Sequence, residues 1–574
     1  MDKNKLEISG KTSPETVSAS YKPIPEQDVE DQALSRPKAL IKVCACSEVD
    51  GADEKMLPAE DTIPEVVVFD KDAKSPQNGD AKLDIAEAKQ AFVGLTKEEL
   101  MKYANDPFWI RLRWFLFVTF WLLWASMLIG AILIIYAAPK CDPPPPRTWY
   151  QQGPLTEISD KASLEAVNKN VQGVVIPWTE DAYEPLKNNP VGFALLETAN
   201  KLGTKVIVEL DPTVSNVWFE KSERKDPEFD EYYIWKQGSI QGGSNSAPNN
   251  WLSPNNVSSW KYSDARREYY YSPFSKPHLN FRNTSVIKEF DKVIETFLAL
   301  NVSGIRLRNA AFLLVDPNFD NEEANNNARQ YPGLTLDKYR FYKHSKTENL
   351  QELGYLLKGW RAVIRNKTES GPLMVAEQLA KVDSYKVNDS LVVDMPLQSH
   401  IFSKPVLSVN ETAYSLNYTF NIEGIEWPLW KARTNALPKD VLDIITYLLP
   451  GAPLVNSSES INPVLIKIRE SPSIMRGFCG VYSLQNNTIL AFIRVTPGSP
   501  GILVAVNPTE RAEITNIPKE IPLLSNLQEV TVRYYSNNYN NSNFKDLGGK
   551  RTALAVPISP KSAIVLEYVP KRDE

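Results

Sequence analysis

The polarity of the chain changes character several times along its length. Residues 1 to about 90 are rich in Pro, Ser, Lys, Glu and Asp and show no sustained apolar period, the composition of a disordered tail. Residues 91–106, AFVGLTKEELMKYAND, predict a short helix, with Thr96 as N-cap and Glu99 three residues on as its capping-box partner. Then comes Trp114–Pro139, WFLFVTFWLLWASMLIGAILIIYAAP, which contains no charged residue. A helix rises 1.5 Å per residue, so ~20 apolar residues cross a hydrocarbon core of ~30 Å. The run therefore predicts a single transmembrane helix over 114–138, preceded by a juxtamembrane helix within 91–113. It is too long for the apolar core of a signal peptide, and more than a hundred residues precede it.

Beyond the anchor, residues 139–148 form a proline-rich neck, with Pro143 to Pro146 favouring a semi-rigid polyproline spacer. From Trp149 short apolar runs alternate with helical patterns. GVVIPW (173–178), KVIVEL (205–210), GIRLR (304–308), LMVAEQ (373–378) and SLVVDM (390–395) read as strands. The segments 189–203, 285–301 and 347–366 read as helices between them. This alternation predicts an α/β domain, a (β/α)8 TIM barrel over 149–474. Between about 211 and 284 the alternation breaks into an Asn-, Ser-, Tyr- and Trp-rich excursion. From 475 to 574 the helices stop, and short strands separated by turn residues predict an antiparallel β-sandwich.

Charge fixes the expected orientation. Lys102, Arg111 and Arg113 crowd the N-terminal flank of the apolar run, while Lys140 on the other flank is offset by Asp142, which places the N-terminus in the cytoplasm. Asn-x-Ser/Thr sequons begin at Asn256, Asn283, Asn301, Asn366, Asn388, Asn410, Asn417, Asn456, Asn486 and Asn540, and none precedes the apolar run. Such one-sided distribution predicts a glycosylated extracellular C-terminal region and a single-pass type II protein of the plasma membrane.

The 574 residues carry a net charge of −6 with both signs mixed throughout, and there is neither a basic block nor zinc-type Cys/His spacing, so no nucleic-acid partner is predicted. His278, His344 and His400 are too dispersed for an obvious metal site, and no metal or cofactor is expected. Cys44 and Cys46 lie in the tail, where thiols stay reduced. Outside there are only Cys141 and Cys479, so the folded region rests on its hydrophobic core. Cys141 emerges beside the membrane, poorly placed for a domain core. Its options are a free thiol, a bridge to Cys479, or a disulfide to another membrane protein, the last being favoured.

Residues 91–141 resemble the heavy subunit of the heteromeric amino acid transporters, the cell-surface antigen heavy chain. The residues that carry this are GLTKEEL (94–100), the Trp-rich anchor, and Ala138-Pro139-Lys140-Cys141. From about 149 onward the chain resembles the α-amylase-type glycoside hydrolases (family 13), with PNNW (248–251) and LNFRN (279–283) similar to the maltase-type members. The resemblance implies a heavy subunit that brings a multi-spanning light subunit to the plasma membrane and stabilises it there. Cys141 matches the position of the linking cysteine, and the transmembrane helix and lipid complete the implied contacts.

A retaining glycosidase needs two carboxylates ~5 Å apart, one nucleophilic and one acid/base. The resemblance sets the family's Gly-Phe-Arg-x-Asp-Ala strand end against Gly304-Ile305-Arg306-Leu307-Arg308-Asn309, so Arg308 stands at the nucleophile position. A guanidinium is permanently cationic and has no nucleophilic lone pair. Glu377 matches the acid/base. On the third strand, Val214 takes the place of a sugar-contacting His, and the later His-Asp pair falls at Glu426-Trp427. These departures imply no glycosidase activity. A membrane-anchored α-glucosidase and an adhesion or receptor glycoprotein are the alternatives.

Overall fold

The computed structural model describes residues 97–137 and 145–570, apart from positions 168, 185–188, 242–243, 327, 332 and 433–435. The tail with Cys44 and Cys46, the cap at Thr96, and the part of the neck that holds Cys141 (139–144) lie outside the described residues. The chain divides into two compact units, 1–144 and 145–574.

In the first unit, helix α1 (Lys97–Ala104) ends at Asn105, and helix α2 (Pro107–Ala137) begins again two residues later. Asp106 explains the restart: its Oδ1 accepts the Phe108 N–H at 3.0 Å, and Pro107 sits where a helix needs no N–H. Arg111 and Arg113 therefore belong to the long helix itself. At 31 residues α2 is ~46 Å long. None of its residues is buried, and edge-to-face aromatic contacts link Trp114–Phe117, Phe117–Trp121 and Trp121–Trp124 along it.

The second unit is built on eight parallel strands: β1 (Leu155–Glu157), β2 (Gly173–Pro177), β3 (Val206–Leu210), β4 (Gly304–Leu307), β5 (Leu373–Val375), β6 (Leu397–Gln398), β7 (Leu429–Trp430) and β8 (Ala452–Asn456). They pair in order from β1 to β5 and from β6 through β7 and β8 back to β1. One parallel bridge, Gln378 to Leu397, spans β5 and β6, so the barrel is nearly closed. The strands are short and all but continuously apolar because both faces are covered.

Helices complete the crossovers. Helix α3 (Pro190–Leu202) starts at Asn189, whose side chain accepts the Gly192 N–H, and stops at Gly203 in the left-handed region that glycine tolerates. Helix α4 (Thr284–Ala299) buries Val286, Phe290, Val293, Ile294 and Phe297, a 3.6-residue stripe. It packs on helix α5 (Leu353–Lys367), where Phe290 and Trp360 meet edge to face at 4.6 Å. Helices α6 (Val409–Asn421) and α7 (Lys439–Leu448) follow β6 and β7.

Two departures from the periodicity stand out. SLVVDM is not a regular strand: only Ser390–Leu391 pairs, in a small ribbon with Lys386–Val387, and Met395 adopts φ 49°. Asp394 instead binds Arg361 and the Leu373 N–H at the start of β5, so the barrel strand begins later, at Leu397. A second irregular stretch, 309–352, follows β4 and faces the one after β3. Asn250 and Trp251 of the PNNW motif tie the two together: Asn250 Oδ1 accepts the Glu322 N–H at 2.7 Å, and the Trp251 indole donates to Asp320 O at 2.8 Å.

The C-terminal region is a six-stranded sheet ordered β9 (Phe478–Leu484), β10 (Ile489–Val495), β11 (Gly501–Asn507), β14 (Ser562–Tyr568), β12 (Glu529–Tyr535) and β13 (Lys550–Thr552). Alternation along β10 decides its packing. Leu490 and Phe492 face the cluster formed with α6 and α7, while Ile489, Ala491 and Ile493 face a second layer carrying Ile517, Val556 and Ile558. Cys479 lies half-buried and free on β9, and burial pushes its thiol up to about 11.

Candidate functional site at the carboxyl end of the barrel

The carboxyl ends of parallel barrel strands are where such folds place chemistry, since loops there can converge on one point. Strand β1 ends in Glu157, β3 contains Glu209 and is followed by Asp211, and β4 carries Arg306 and is followed by Arg308. Glu377 follows β5, and Lys431 follows β7. The pleat turns Arg306 inward, and it is 2% exposed.

These side chains neutralise one another. Arg306 Nη1 lies 2.9 Å from Glu157 Oε1 and 3.3 Å from Glu209 Oε2. Arg308 donates from Nε at 3.1 Å and from Nη2 at 2.8 Å to Glu209 Oε1. Lys431 Nζ reaches both oxygens of Glu157, at 2.9 and 2.8 Å. Burial pushes the Glu157 carboxyl up, but hydrogen bonds from Lys431 and Arg306 outweigh it and hold the group below the usual carboxylate range.

Asn309 organises the remaining carboxylates. It adopts φ 56°, a left-handed conformation that Asn accepts more readily than other side chains. That geometry directs its N–H to Glu377 Oε1 at 2.9 Å and its side-chain amide to Asp211 Oδ2 at 2.8 Å. Asp211 Oδ1 also accepts from the Thr213 N–H and hydroxyl. Burial of the Glu377 carboxyl raises its pKa; the hydrogen bond from Asn309 works in the opposite direction.

The structure thus brings Arg308 and Glu377 to one end of the barrel, with Val214 in the loop that follows β3 at that end, and sets only Trp427 apart. Val214 is half-buried and bridges to His278 at the root of the excursion. Trp427 precedes β7 and lies at the opposite end of the barrel, where its indole donates to Gln151 O at 2.9 Å and Arg147 stacks over the ring at 4.0 Å. The alignment of the His-Asp pair with Glu426-Trp427 is therefore corrected: the residues leaving β7 at the carboxyl end are Lys431 and Ala432. The misalignment arose because β7 spans only two residues and has no strand signature of its own. Glu157, Asp211, Asn309 and Lys431 were not picked out either. Their only signal is position at a strand end, which requires the strand boundaries.

The chemistry available follows from these contacts. Within this network one carboxyl, Glu377, has a raised pKa. At the end of β4 the chain offers a guanidinium, and Glu209 is held by two arginines. His278 is buried, with burial lowering its pKa to about 4, and its Nδ1 lies 2.8 Å from Leu279 O. All ten sequon asparagines are described and none is buried; Asn283 and Asn417 are half-buried and the other eight exposed.

Comparison with known families separates the two parts of the chain. Residues 80–156 match the family model described as the solute carrier family 3 member 2 N-terminus, and residues 188–441 match that of the α-amylase catalytic domain. The chain thus joins a segment similar to the solute carrier family 3 member 2 N-terminus to a barrel similar to the α-amylase catalytic domain. The chain is 25% identical over 448 residues to amino acid transporter heavy chain SLC3A1 of Homo sapiens, covering 67% of this chain and 64% of that one. It thus spans less than two thirds of the length of that relative. Maltase 1 of Drosophila virilis is 32% identical over 188 residues, 31% of this chain and 28% of that one. Among solved structures, the α-glucosyl transfer enzyme XgtA superposes with a TM-score of 0.55 at 15% identity, covering 74% of this chain and all of that one, which speaks for the fold alone.

Proposed function

We propose that this chain is the accessory heavy subunit of a heteromeric amino acid transporter. In this reading α2 spans the plasma membrane once, the N-terminus is cytoplasmic and the second unit is extracellular. Cys141 forms a disulfide with a multi-spanning light subunit, which the heavy subunit directs to the cell surface and stabilises there. The observation that carries the reading is the heavy-chain N-terminus match over 80–156, which contains both α2 and Cys141. The exposure of every part of α2 supports a lipid surrounding, because burying each large apolar side chain is worth ~1.5–3 kcal/mol. A single bridge at the membrane surface would make two spans permanent neighbours and raise the effective concentration of every other contact between the chains.

The second unit, in the same reading, has no glycosidase activity. Arg308 replaces the nucleophile, repels an oxocarbenium-like transition state, and is engaged with Glu209. A membrane-anchored α-glucosidase is favoured only by the retained Glu377 and the similarity to Maltase 1.

Gels of the full chain from membranes, with and without reductant, test the subunit role. Wild type is expected to run at roughly heavy-plus-light mass and to collapse on reduction, while Cys141→Ser runs as the single chain in both. A wild type that runs alone without reductant overturns the covalent link. Hydrolysis of maltose-type substrates abolished by Glu377→Gln overturns the inactive reading.

A further inference from the structure

Helix α6 presents an apolar strip to solvent that its packing does not explain. Its inward face is ordinary: Val409, Thr412, Ala413, Leu416 and Thr419 are buried against the barrel and the C-terminal sheet. Its outward face carries Tyr414, Tyr418 and Ile422, which are 70%, 42% and 68% exposed. The spacing of four residues stacks them along one side of the helix. The two tyrosine rings stack, with planes 27° apart and centroids at 6.2 Å, and so form a paired aromatic platform.

One turn before this platform, on the same face, stands Asn410 of the sequon Asn410-Glu411-Thr412, and it is exposed. Side chains on a helix lean toward its N-terminus, so the Tyr414 ring tilts back over the turn that carries Asn410. Tyr414 and Tyr418 lie ~6 and ~12 Å along the axis from Asn410. A sugar attached to Asn410 would begin beside the first ring. The second sequon on the helix is placed differently: Asn417 is half-buried, and its Nδ2 donates to Val481 O at 3.2 Å, toward the C-terminal sheet.

We propose that Asn410 carries an N-linked glycan whose first N-acetylglucosamine residues lie on Tyr414 and Tyr418, so that the chain's own carbohydrate covers the apolar strip of α6. The chemistry matches on both sides. A pyranose presents axial C–H groups on one face and hydroxyls at its rim, and tyrosine offers a broad apolar ring with a polar edge that stays wet. The covalent tether removes most of the association cost, because the sugar is held within reach of the rings. This inference rests on the extracellular placement of the second unit proposed above.

The test uses the full chain produced in glycosylating cells and purified from membranes. Site-resolved mass spectrometry reads occupancy, and hydroxyl-radical footprinting reads Tyr414 and Tyr418. The expected result is an occupied Asn410 and a several-fold rise in modification of both tyrosines in Asn410→Gln or after enzymatic deglycosylation. Asn417→Gln, with its own glycan removed and that of Asn410 kept, should leave both tyrosines protected. Occupied Asn410 with tyrosine modification unchanged by its loss overturns the proposal, as does protection that follows Asn417 instead. Protection that persists in Asn410→Gln and disappears on dilution assigns the strip to a second copy or a partner protein and likewise overturns it. If Asn410 is bare while other sequons are occupied, the inference falls and the topology stands. If none is occupied, the extracellular reading itself falls.

Discussion

The two ends of the barrel use buried arginine in opposite ways. At the carboxyl end Arg306 and Arg308 face carboxylates, Glu157 and Glu209, with Lys431 completing the network. At the amino end Arg469 faces no carboxylate among the described residues. Its guanidinium donates to the main-chain carbonyls of Gln151, Gln152, Tyr447 and Gly451, fastening the entry to β1 onto the end of α7 and the start of β8. Arg494 likewise donates to Ile474 O and Gly477 O. One end is held by charges that titrate, the other by carbonyls that do not. The carboxyl end gathers acids from β1 and β3, and buried or half-buried acids there need the cations that β4 and β7 supply. The opposite end has only chain ends to gather, and a fork of donors gathers several at once.

The sharpest way to break this comparison is to remove one buried arginine from each end. Arg306→Met and Arg469→Met should each cost ~3–5 kcal/mol, the first by leaving Glu157 and Glu209 with one cation apiece and the second by leaving carbonyls unpaired. Their dependence on pH should differ. In Arg306→Met the Glu157 carboxyl loses one of the two cations that hold it below the usual carboxylate range, so the deficit relative to wild type should shrink as pH falls below ~5. The deficit of Arg469→Met should stay constant, because carbonyls bind no proton in that range. Urea unfolding from pH 4 to 8 reads both, and parallel deficits would refute the distinction.

Glu348 offers a smaller effect of opposite sign. It lies in the stretch after β4, where burial, reinforced by the charge of Glu322, pushes its carboxyl up to about 7. A folded pKa above the unfolded one means that the native state binds more protons. This group's contribution is therefore fully present below the ordinary value of 4.5 and is lost as pH rises through about 7. Glu348→Gln should flatten that loss and stabilise the protein at pH 8 by up to ~3 kcal/mol. A thermal scan showing wild type and variant in constant separation from pH 4 to 8 would refute the assignment.

Arg308 should matter least for stability. Its side chain is 35% exposed, so Arg308→Ala should cost no more than ~1 kcal/mol. Arg308→Asp should not create a maltose-hydrolysing enzyme, because the new carboxylate would stand beside Glu209 while Lys431 and Glu157 still bridge across the barrel end. Measurable turnover by that variant would show that the ion network is no obstacle to chemistry.

Much of this was legible in the chain. The apolar run gave α2, and the alternation of buried strands with amphipathic helices gave the barrel. The helical patterns over 189–203 and 285–301 matched the helices within a residue or two, and the structure shows Asn189 and Asn283 capping them through local hydrogen bonds. Arg308 and Glu377 were recognisable from short motifs on strands β4 and β5. Trp427 was misplaced because two-residue strands such as β6 and β7 leave no period to read, so the register of a motif near them is undefined.

The sequence by itself determined the apolar helix, the strand–helix alternation and the presence of a guanidinium at the end of β4, since each depends on residue type or on neighbours a few positions away. Only the tertiary structure decided what Arg308 and Arg306 do there. Their partners Glu157 and Glu209 lie 149 and 99 residues away, and they meet because the barrel brings β1, β3 and β4 around one axis. Tertiary structure also decided that Trp427 belongs to the amino end and that Asn410 opens onto an aromatic strip. Ion pairs and surface platforms are set by which distant segments converge, and that convergence is fixed by closing the barrel rather than by any local stretch of chain.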